Sequence, residues 1–320
     1  MLRSSILTLV IVLAACSCER SSKPSILMGE ARLAVPGGNI WYRVSGTGTG
    51  TPVVLLHGGP GFSSYYLKPF EVLGDDRIVV RYDQLGGGKS GTTTDTTLFN
   101  LPHFIQELDS LRRHLGVETW HVFGHSWGTI LAVEYYRAHP DRVASLIFGS
   151  PVFDFPAYER RANQLVATLS DSSQRAVRQA LAAGRYDAPA YQTAINEFYG
   201  LYLFRHPVQA DLDSSFASFN QAIYGYMQGP SEFTITGTLK RYDATAFLPQ
   251  IGVPTLVTVG EFDEVGPELV REHAGRIPGS RYELFPGAAH LTSWDARDAN
   301  VRVVREFLRS ADSVRAHPEL

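Results

Sequence analysis

The sequence predicts an α/β fold in which helices flank a mainly parallel sheet. Short apolar runs typical of buried strands alternate along the chain with amphipathic runs of helical period, as expected for strands joined by helical crossovers. This alternation stops after residue 154 and resumes near residue 248. A chain of 320 residues is long for one core, so a large insertion into the sheet domain accounts for the extra length.

The first half of the chain contains a hairpin and four predicted parallel strands. Residues 31–35 and 40–44 alternate apolar and polar side chains around a Pro-Gly-Gly-Asn turn, which predicts the hairpin. Four short apolar runs have the composition of buried parallel strands: 52–56, 77–82, 120–123 and 143–148. Amphipathic helices are predicted between them, at 101–115 and 129–138.

The second half of the chain predicts a helical cap inserted into the sheet domain. Residues 155–247 are helical in pattern and rich in aromatic side chains, and they contain no parallel-strand run. Beyond them the alternation resumes with these elements: a strand at 254–259, a helix at 267–277, a strand at 281–285 and a closing helix at 294–310. Because the sheet pattern continues on the far side, a cap is favoured over a separate, unrelated domain. The predicted core is therefore residues 30–154 and 248–312.

The N-terminus resembles a bacterial lipoprotein signal. Arg3 is followed by ten mostly apolar residues, too few to span a bilayer core, and the run ends Leu-Ala-Ala before Cys16. We predict a signal peptide at 1–15, acylation of Cys16 and a polar tether at 16–29. These features imply a lipid anchor in the bacterial cell envelope, at the periplasmic face of the outer membrane. An ordinary secretory signal cleaved near the same place is the alternative.

Composition argues against nucleic-acid, metal and nucleotide sites. The net charge is −3 and no basic stripe is present, so no nucleic-acid partner is predicted. The ten histidines are scattered, and neither His-Glu-x-x-His nor Cys-x-x-Cys occurs, so we predict no metal and no cofactor. The segment 86–90 ends like a phosphate-binding loop, but Asp83 occupies the position where that motif requires its first glycine.

Residues 124–128 form the G-x-S-x-G pattern of a nucleophile elbow. A predicted strand precedes the pattern and a predicted helix follows it, which is the context that this motif requires. In so tight a turn the serine adopts a strained backbone conformation and its hydroxyl stands clear of the sheet. Gly124 and Gly128 flank it because a Cβ there would collide with the neighbouring strand or helix. We predict Ser126 as the nucleophile of an α/β-hydrolase fold.

Asp263 and His290 are the predicted partners of Ser126. A serine needs a base, and the base needs an orienting carboxylate. In this fold the chain order is nucleophile, acid, histidine. Each partner stands just past a predicted strand, where an open α/β sheet places its active site. The three residues therefore predict a catalytic triad.

Two backbone N–H groups are expected to form the oxyanion hole. One belongs to Trp127, the residue after the nucleophile. The other lies in the glycine-rich segment His-Gly-Gly-Pro-Gly after the third strand, where glycine lets the backbone approach the substrate. We place that donor at Gly59, with Gly58 as the second choice, and we predict structural roles for His57 and His125.

Four segments together resemble the proline iminopeptidase family of α/β-hydrolases, which includes the tricorn-interacting aminopeptidases: 57–61, 83–90, 124–128 and 260–264. The resemblance covers roughly residues 30–310 and implies removal of N-terminal residues from peptides. It also implies that acidic residues bind the substrate's free amino group, and Glu232 and Glu264 match those positions. An ammonium group in a closed pocket does need carboxylates, and Asp263 beside Glu264 crowds two negative charges. The alternative is that Glu232 caps a turn and that Glu264 is solvated.

The sequence therefore predicts a serine aminopeptidase that acts through an acyl-enzyme on peptides with a free N-terminus, with proline favoured. Because His290 must be neutral to act as a base, an ordinary histidine pKa predicts loss of activity below about pH 6.5. An esterase or a carbon–carbon-bond hydrolase of the same fold is the first alternative, since the fold does not determine the substrate. A catalytically silent binding protein of the envelope is the second.

Overall fold

The computed structural model of the protein describes residues 26–206 and 210–316, so the predicted signal peptide, Cys16 and most of the predicted tether lie outside the described residues. Within them the chain forms one eight-stranded sheet with the strand order β1-β2-β4-β3-β5-β6-β7-β8. The two pairings of β2 are antiparallel and all others are parallel. The strands are β1 (Gly29–Val35), β2 (Gly38–Ser45), β3 (Gly50–Leu56), β4 (Arg77–Asp83), β5 (Trp120–His125), β6 (Val143–Gly149), β7 (Thr255–Gly260) and β8 (Arg281–Phe285).

The α-helices of the described residues are α1 (Leu101–His114), α2 (Trp127–Ala138), α3 (Phe155–Val166), α4 (Asp171–Ala183), α5 (Pro189–Tyr202), α6 (Ala210–Ala217), α7 (Gln221–Met227), α8 (Pro267–Ala274), α9 (Thr292–Asp295) and α10 (Arg297–Ala316). The predicted α/β architecture with a mainly parallel sheet is confirmed, and each predicted strand has an observed counterpart. The prediction of a single closing helix is wrong, because the backbone of Ala296 (φ −129°, ψ 37°) leaves the helical region and separates α9 from α10.

A 3₁₀ segment at Ser64–Asp75 was not predicted from the sequence. Its buried residues Leu67, Phe70 and Leu73 recur every third position, which matches the three residues per turn of a 3₁₀-helix and not the α-helical period. Pro69 inside the segment also removes a donor that an α-helix would use. The segment packs beside β3 and β4 and contributes Tyr66 to the site described below.

Apolar side chains cover both faces of the sheet because successive residues of a strand point to opposite faces. In β3, Val53 and Leu55 belong to the core shared with Ser64–Asp75 and α10, whereas Val54 and Leu56 belong to the core shared with α1 and α2. All four are fully buried, and each such side chain contributes about 1.5–3 kcal/mol. This double burial explains why the strand is uniformly apolar.

A buried polar cluster joins α10 to the sheet. Asp312 on α10 accepts hydrogen bonds from Arg77 (2.9 Å) and from His121 Nε2 (3.1 Å). His121 Nδ1 lies 2.7 Å from the Ser145 hydroxyl, which donates to it because Nε2 carries the ring hydrogen. Burial alone would raise the pKa of Asp312, but its hydrogen bonds and the Arg77 charge hold that pKa well below its ordinary value. This Ser-His-Asp array therefore stabilises the position of the last helix.

The segment between β6 and β7 contains α3 to α7 within the described residues. Helix α3 begins at Phe155 because the Asp154 side chain accepts a hydrogen bond from the Ala157 N–H at 2.9 Å, which caps the helix. Aromatic packing fills the interior of the segment: Phe198 and Tyr191 contact Phe233 with ring centroids 5.1 and 5.9 Å apart. We call residues 155–247 the cap segment. Its status as a distinct domain with these boundaries stays a prediction.

Candidate active site

Ser126 occupies the turn between β5 and α2, at the carboxyl end of β5. Its backbone has φ 54° and ψ −123°, a conformation that residues other than glycine rarely adopt. A Cβ on Gly124 would lie 2.2 Å from the carbonyl oxygen of Gly128, and a Cβ on Gly128 would lie 2.3 Å from that of Leu56. The turn therefore has the geometry of a nucleophile elbow, and close backbone contacts account for both glycines.

His290 and Asp263 meet at the same edge of the sheet, after β8 and β7. His290 Nδ1 lies 2.8 Å from Asp263 Oδ1, and both side chains are buried. Because an ionised carboxylate only accepts hydrogen bonds, Nδ1 carries the hydrogen and Nε2 is the nitrogen left for proton transfer. The Ser150 hydroxyl donates to the carbonyl oxygen of His290 at 2.9 Å and holds this loop in place.

The charges around His290 favour its protonated form. Burial alone would lower the pKa of His290, but the negative charges of Asp263 and Glu264 outweigh burial and raise that pKa to about 9. Burial alone would raise the pKa of Asp263, but the charge and the hydrogen bond of His290 hold it below its ordinary value. In the empty site His290 therefore keeps its proton to a higher pH than a free histidine does.

Ser126 and His290 line one pocket of about 480 Å³. Gly59, Glu232 and Glu264 line the same pocket, so the structure brings these predicted site residues together. Among the described residues, however, no hydrogen bond joins the Ser126 hydroxyl to His290. The Nε2 atom of His290 instead lies 3.8 Å from Glu264 Oε1.

The two glycines proposed for the oxyanion hole have different surroundings. The N–H of Gly58 donates to the Tyr66 hydroxyl at 2.7 Å, so it is already engaged. No hydrogen bond within the described residues uses the N–H of Gly59. Trp127 is the first residue of α2, so its N–H has no intrahelical partner. Of the predicted donors, Gly59 and Trp127 are therefore the two whose N–H groups are free to bind an oxyanion.

A directed chain of hydrogen bonds connects the glycine-rich loop to the His290 loop. His125 Nε2 donates to the His290 carbonyl oxygen (2.9 Å), which leaves Nδ1 to accept from the Tyr66 hydroxyl (2.9 Å). The same hydroxyl accepts from Gly58 (2.7 Å). Burial lowers the pKa of His125 to about 3, so the ring stays neutral and the directions stay as described. The sequence did not single out Tyr66, because its place in a 3₁₀ segment leaves no recognisable pattern.

A second network braces the elbow from the side of β4. The Gln84 side chain accepts a hydrogen bond from the Trp127 indole (2.8 Å) and donates to the His57 carbonyl oxygen (3.2 Å). His57 is fully buried, and its Nε2 accepts from the Gln84 N–H (3.0 Å). Asp83 accepts from the N–H of Lys89 (2.8 Å), so the glycine-rich segment 86–90 closes back onto β4. His57 therefore contacts protein groups on both ring nitrogens.

Glu232 lies in a cage of polar side chains from the cap segment. It accepts hydrogen bonds from the hydroxyl groups of Tyr158 (2.8 Å) and Tyr224 (2.5 Å) and from the Gln228 amide. The Tyr158 hydroxyl also lies 3.1 Å from Glu264 Oε1. The sequence placed these tyrosines only in an aromatic-rich helical segment. Nothing in their spacing distinguished them from core residues such as Tyr191.

Glu264 is buried beside a second negative charge. It is 2% exposed, and its Oε2 atom has no hydrogen-bond partner among the described residues. Burial raises the pKa of Glu264 well above its ordinary value, the charge of Glu232 raises it further, and the positive charge of His290 opposes both. The sequence emphasised crowding between Glu264 and Asp263, but in the structure Glu232 has the stronger influence. The two carboxyl groups therefore form an acidic end of the pocket, in which His290 supplies positive charge.

Aromatic side chains form the apolar wall of the pocket. Phe62, from the glycine-rich loop, contacts Phe216 and Phe219 edge to face, with ring centroids 5.2 and 5.5 Å apart. Leu203 and Tyr199 of the cap segment continue this wall. The pocket thus combines an apolar wall with the carboxyl groups of Glu232 and Glu264, and this combination suits a ligand with a small apolar body and a cationic group.

The described parts of the chain, 26–206 and 210–316, contain no group of three or more His, Cys, Asp and Glu side chains that could hold a metal ion. None of the helices in these two ranges is long and apolar enough to cross a bilayer. Cys16 lies outside these ranges, so the lipid anchor stays a prediction.

A mostly parallel eight-stranded sheet with a strained serine between a central strand and a helix defines an α/β-hydrolase. The alpha/beta hydrolase fold family matches residues 51–296. A proline iminopeptidase of Heyndrickxia coagulans is 37% identical over 284 residues, which cover 88% of this chain and 99% of that protein.

Two solved structures have the same fold over most of this chain. A proline iminopeptidase of Mycobacterium smegmatis has a TM-score of 0.82 at 30% identity and covers 89% of this chain and 99% of its own. VinJ has a TM-score of 0.84 at 29% identity and covers 88% and 99%. The chain belongs to the proline iminopeptidase family of α/β-hydrolases, and it is a serine hydrolase.

Proposed function

We propose that the protein is a prolyl aminopeptidase that releases N-terminal residues from peptides through a Ser126 acyl-enzyme. The observation that carries this proposal is the pair of carboxyl groups, Glu232 and Glu264, in the pocket that Ser126 and His290 also line. The names of the relatives support proline as the favoured residue. The aromatic wall around Phe62 supports a small apolar side chain.

The acidic end of the pocket supports recognition of a free amine. Removing an ionised carboxylate from water costs several kcal/mol unless a cation compensates it. Among the described residues, one oxygen of the buried Glu264 has no hydrogen-bond partner, and the donors to Glu232 are neutral: two tyrosines and a glutamine. A substrate ammonium group would supply the missing positive charge and donate hydrogen bonds to both carboxylates. A peptide with a blocked N-terminus would leave this end of the pocket uncompensated.

The proposed reaction assigns one role to each residue of the triad. His290 Nε2 removes the hydroxyl proton of Ser126, whose oxygen attacks the carbonyl carbon of the first substrate residue. The N–H groups of Gly59 and Trp127 stabilise the oxyanion. His290 then protonates the leaving amine, and a water molecule activated by His290 hydrolyses the acyl-enzyme. Asp263 keeps the imidazole hydrogen on Nδ1 and stabilises the imidazolium.

The first experiment measures hydrolysis of prolyl 4-nitroanilide by the wild-type protein and by Ser126→Ala. We expect the variant to lose at least about a thousandfold in kcat, because no other hydroxyl occupies the elbow. Ser145→Ala is the matched control: Ser145 also contacts a histidine that bonds an aspartate, but it lies in the buried cluster beneath α10. Activity retained in Ser126→Ala would refute the proposal.

The second experiment compares free with N-acetylated prolyl amides and separates an aminopeptidase from an esterase. An aminopeptidase should hydrolyse only the substrate with a free amine, whereas an esterase does not require a free amine. Glu232→Gln should raise KM for the free amine, because it removes one of the two negative charges while keeping the side-chain shape. Equal rates on free and blocked substrates would favour the esterase alternative.

Labelling by a fluorophosphonate tests the remaining alternative, a silent binding protein. The reagent reacts only with an activated serine, so we expect a single adduct on Ser126 that competes with prolyl substrates. A protein that gives no adduct under conditions where it is folded would be a binding protein and not an enzyme.

We also propose export and lipid anchoring through Cys16, on the basis of the N-terminal sequence alone. The anchor would place the enzyme at the periplasmic face of the outer membrane, where it would meet peptides that enter the envelope. Cys16→Ser should move the protein from the membrane pellet to the soluble fraction and abolish incorporation of labelled palmitate. Unchanged fractionation of the variant would contradict the anchor.

A further inference from the structure

His290 has a carboxylate near each of its ring nitrogens. Asp263 Oδ1 lies 2.8 Å from Nδ1, as expected for a catalytic triad, and Glu264 Oε1 lies 3.8 Å from Nε2. Nε2 is the atom that must accept the Ser126 proton. A proton on Nε2 is therefore attracted by Glu264, the same carboxylate that is proposed to bind the substrate amine.

The other groups that face this pair are neutral or negative. From β5, His125 contacts the His290 ring with centroids 4.9 Å apart and is neutral. From the cap segment, Glu232 is negative, and burial raises the pKa values of the hydroxyl groups around it, so that these remain protonated: Tyr158, Tyr199 and Tyr224. Among the strongest influences on Glu264 within the described residues, His290 is the one that brings positive charge.

The empty pocket therefore retains a proton. The Tyr158 hydroxyl has a single hydrogen, yet it lies within hydrogen-bonding distance of both Glu232 and Glu264, so it cannot donate to both carboxylates. Glu264 is almost fully buried and can remain ionised only beside a cation. The raised pKa of Glu264 lets its carboxyl group compete for this proton, but the hydrogen bond between His290 and Asp263 favours the imidazolium.

We propose that the substrate's ammonium group activates the catalytic base: when it binds between Glu232 and Glu264, it expels the proton that His290 holds and leaves the imidazole neutral. The proton passes to solvent, and no other bond forms or breaks in this step. The ammonium group then takes over the role of compensating Glu264. This inference rests on the proposed aminopeptidase function and extends it from binding to the chemical step.

An uncharged substrate leaves the proton on His290. With its pKa raised to about 9, the imidazole is mostly protonated at about pH 7, so Ser126 rarely has a base. Selection for a free amine would then affect kcat as well as KM. In this mechanism Glu264 suppresses reaction with uncharged esters and supports reaction with amines.

The test is the pH–rate profile of Glu264→Gln with two substrates, 4-nitrophenyl acetate and prolyl 4-nitroanilide. For the uncharged ester, the apparent pKa of the base should fall by about one pH unit, so that hydrolysis at about pH 7 becomes about tenfold faster. For the prolyl substrate, activity should fall. A residue that only anchors the amine would leave the ester profile unchanged, and a residue that only supports the fold would slow both reactions.

Two variants serve as controls for the removal of a negative charge. Glu261→Gln changes an exposed carboxylate in the same loop and retains an oxygen for its hydrogen bond from Gly287, so neither profile should move. Glu232→Gln removes the more distant carboxylate and should shift the ester profile less than Glu264→Gln does. An ester profile of Glu264→Gln that coincides with the wild-type profile overturns the inference.

A proton count checks the inference without altering Glu264. Prolinamide is titrated calorimetrically into Ser126→Ala in two buffers with different ionisation heats, at about pH 7, where the amine is protonated. Release of close to one proton per site is expected, and no release overturns the inference. The proposed function fails separately, if the wild-type protein does not hydrolyse the prolyl substrate at all.

Discussion

Gly124→Ala should test whether the elbow requires its close backbone contacts. A Cβ at this position would lie 2.2 Å from the Gly128 carbonyl oxygen, 2.6 Å from its carbonyl carbon and 2.8 Å from the Thr129 nitrogen. All three atoms belong to the backbone of α2, so no side chain can rotate away. Ordinary contact begins at 3.4 Å, so the start of α2 must move by more than 1 Å.

The expected cost of Gly124→Ala follows from this displacement. Overpacking lowers the free energy of unfolding by about 1–3 kcal/mol. Rigid backbone contacts favour the upper end of this range, which corresponds to a fall in Tm of about 6 °C. A displacement of about 1 Å near the reacting atoms lowers the rate about a hundredfold. Differential scanning calorimetry and the fluorophosphonate labelling rate of Ser126 measure the two effects.

Gly149→Ala is the matched control for this experiment. Gly149 ends β6 directly beside β5, where it pairs with His125, but a Cβ there would meet only side-chain atoms at 3.4 Å or more and one backbone atom at 3.6 Å. This variant should change stability by less than about 1 kcal/mol and leave labelling intact. If both variants behave alike, close contact does not explain the glycine at position 124.

Three further substitutions test other parts of the structure. Tyr66→Phe leaves the Gly58 N–H and the buried His125 imidazole without their partner, so the free energy of unfolding measured in urea should fall by about 1–3 kcal/mol. An unchanged free energy of unfolding would contradict the hydrogen-bond chain. Asp312 has a lowered pKa and stabilises the fold only while it is ionised, so this contribution is lost as the pH falls below about 4. Asp312→Asn lacks the contribution, so its free energy of unfolding should depend less on pH in that range. Parallel curves of the free energy of unfolding against pH for the two proteins would refute this. Tyr158→Phe should raise KM for prolyl 4-nitroanilide more than for 4-nitrophenyl acetate, and equal effects would exclude a role at the amine site.

Local sequence predicted most of the sheet because the central strands β3 to β7 are largely buried and therefore uniformly apolar. Strand β5 and the elbow after it are examples: an apolar run, a tight turn and a helix follow one another within residues 120–138. The order of Ser126, Asp263 and His290 along the chain also predicted which side chains would meet. Two features were not predicted. The 3₁₀ segment Ser64–Asp75 follows a different period from an α-helix, and the break between α9 and α10 depends on the backbone of a single residue, Ala296.

The sequence favoured Gly59 as the oxyanion donor but kept Gly58 as the second choice, because two adjacent glycines impose the same local constraint. The structure distinguishes them through Tyr66, whose hydroxyl engages the Gly58 N–H. That hydroxyl comes from a different segment of the chain, so the contact depends on how Ser64–Asp75 packs against the sheet. No pattern of residues near position 58 contains this information.

The sequence by itself predicted a nucleophile at Ser126, two triad partners and two candidate carboxylates, because each lies in a motif next to a predictable element. Only the tertiary structure decided what surrounds those carboxylates. Tyr158 contacts Glu232 and Glu264 across 74 and 106 residues of chain, and Glu264 lies 3.8 Å from the ring nitrogen of His290 that does not contact Asp263. The physical reason is that charge coupling depends on distances of a few ångströms and on burial, which packing of the cap segment over the sheet edge sets.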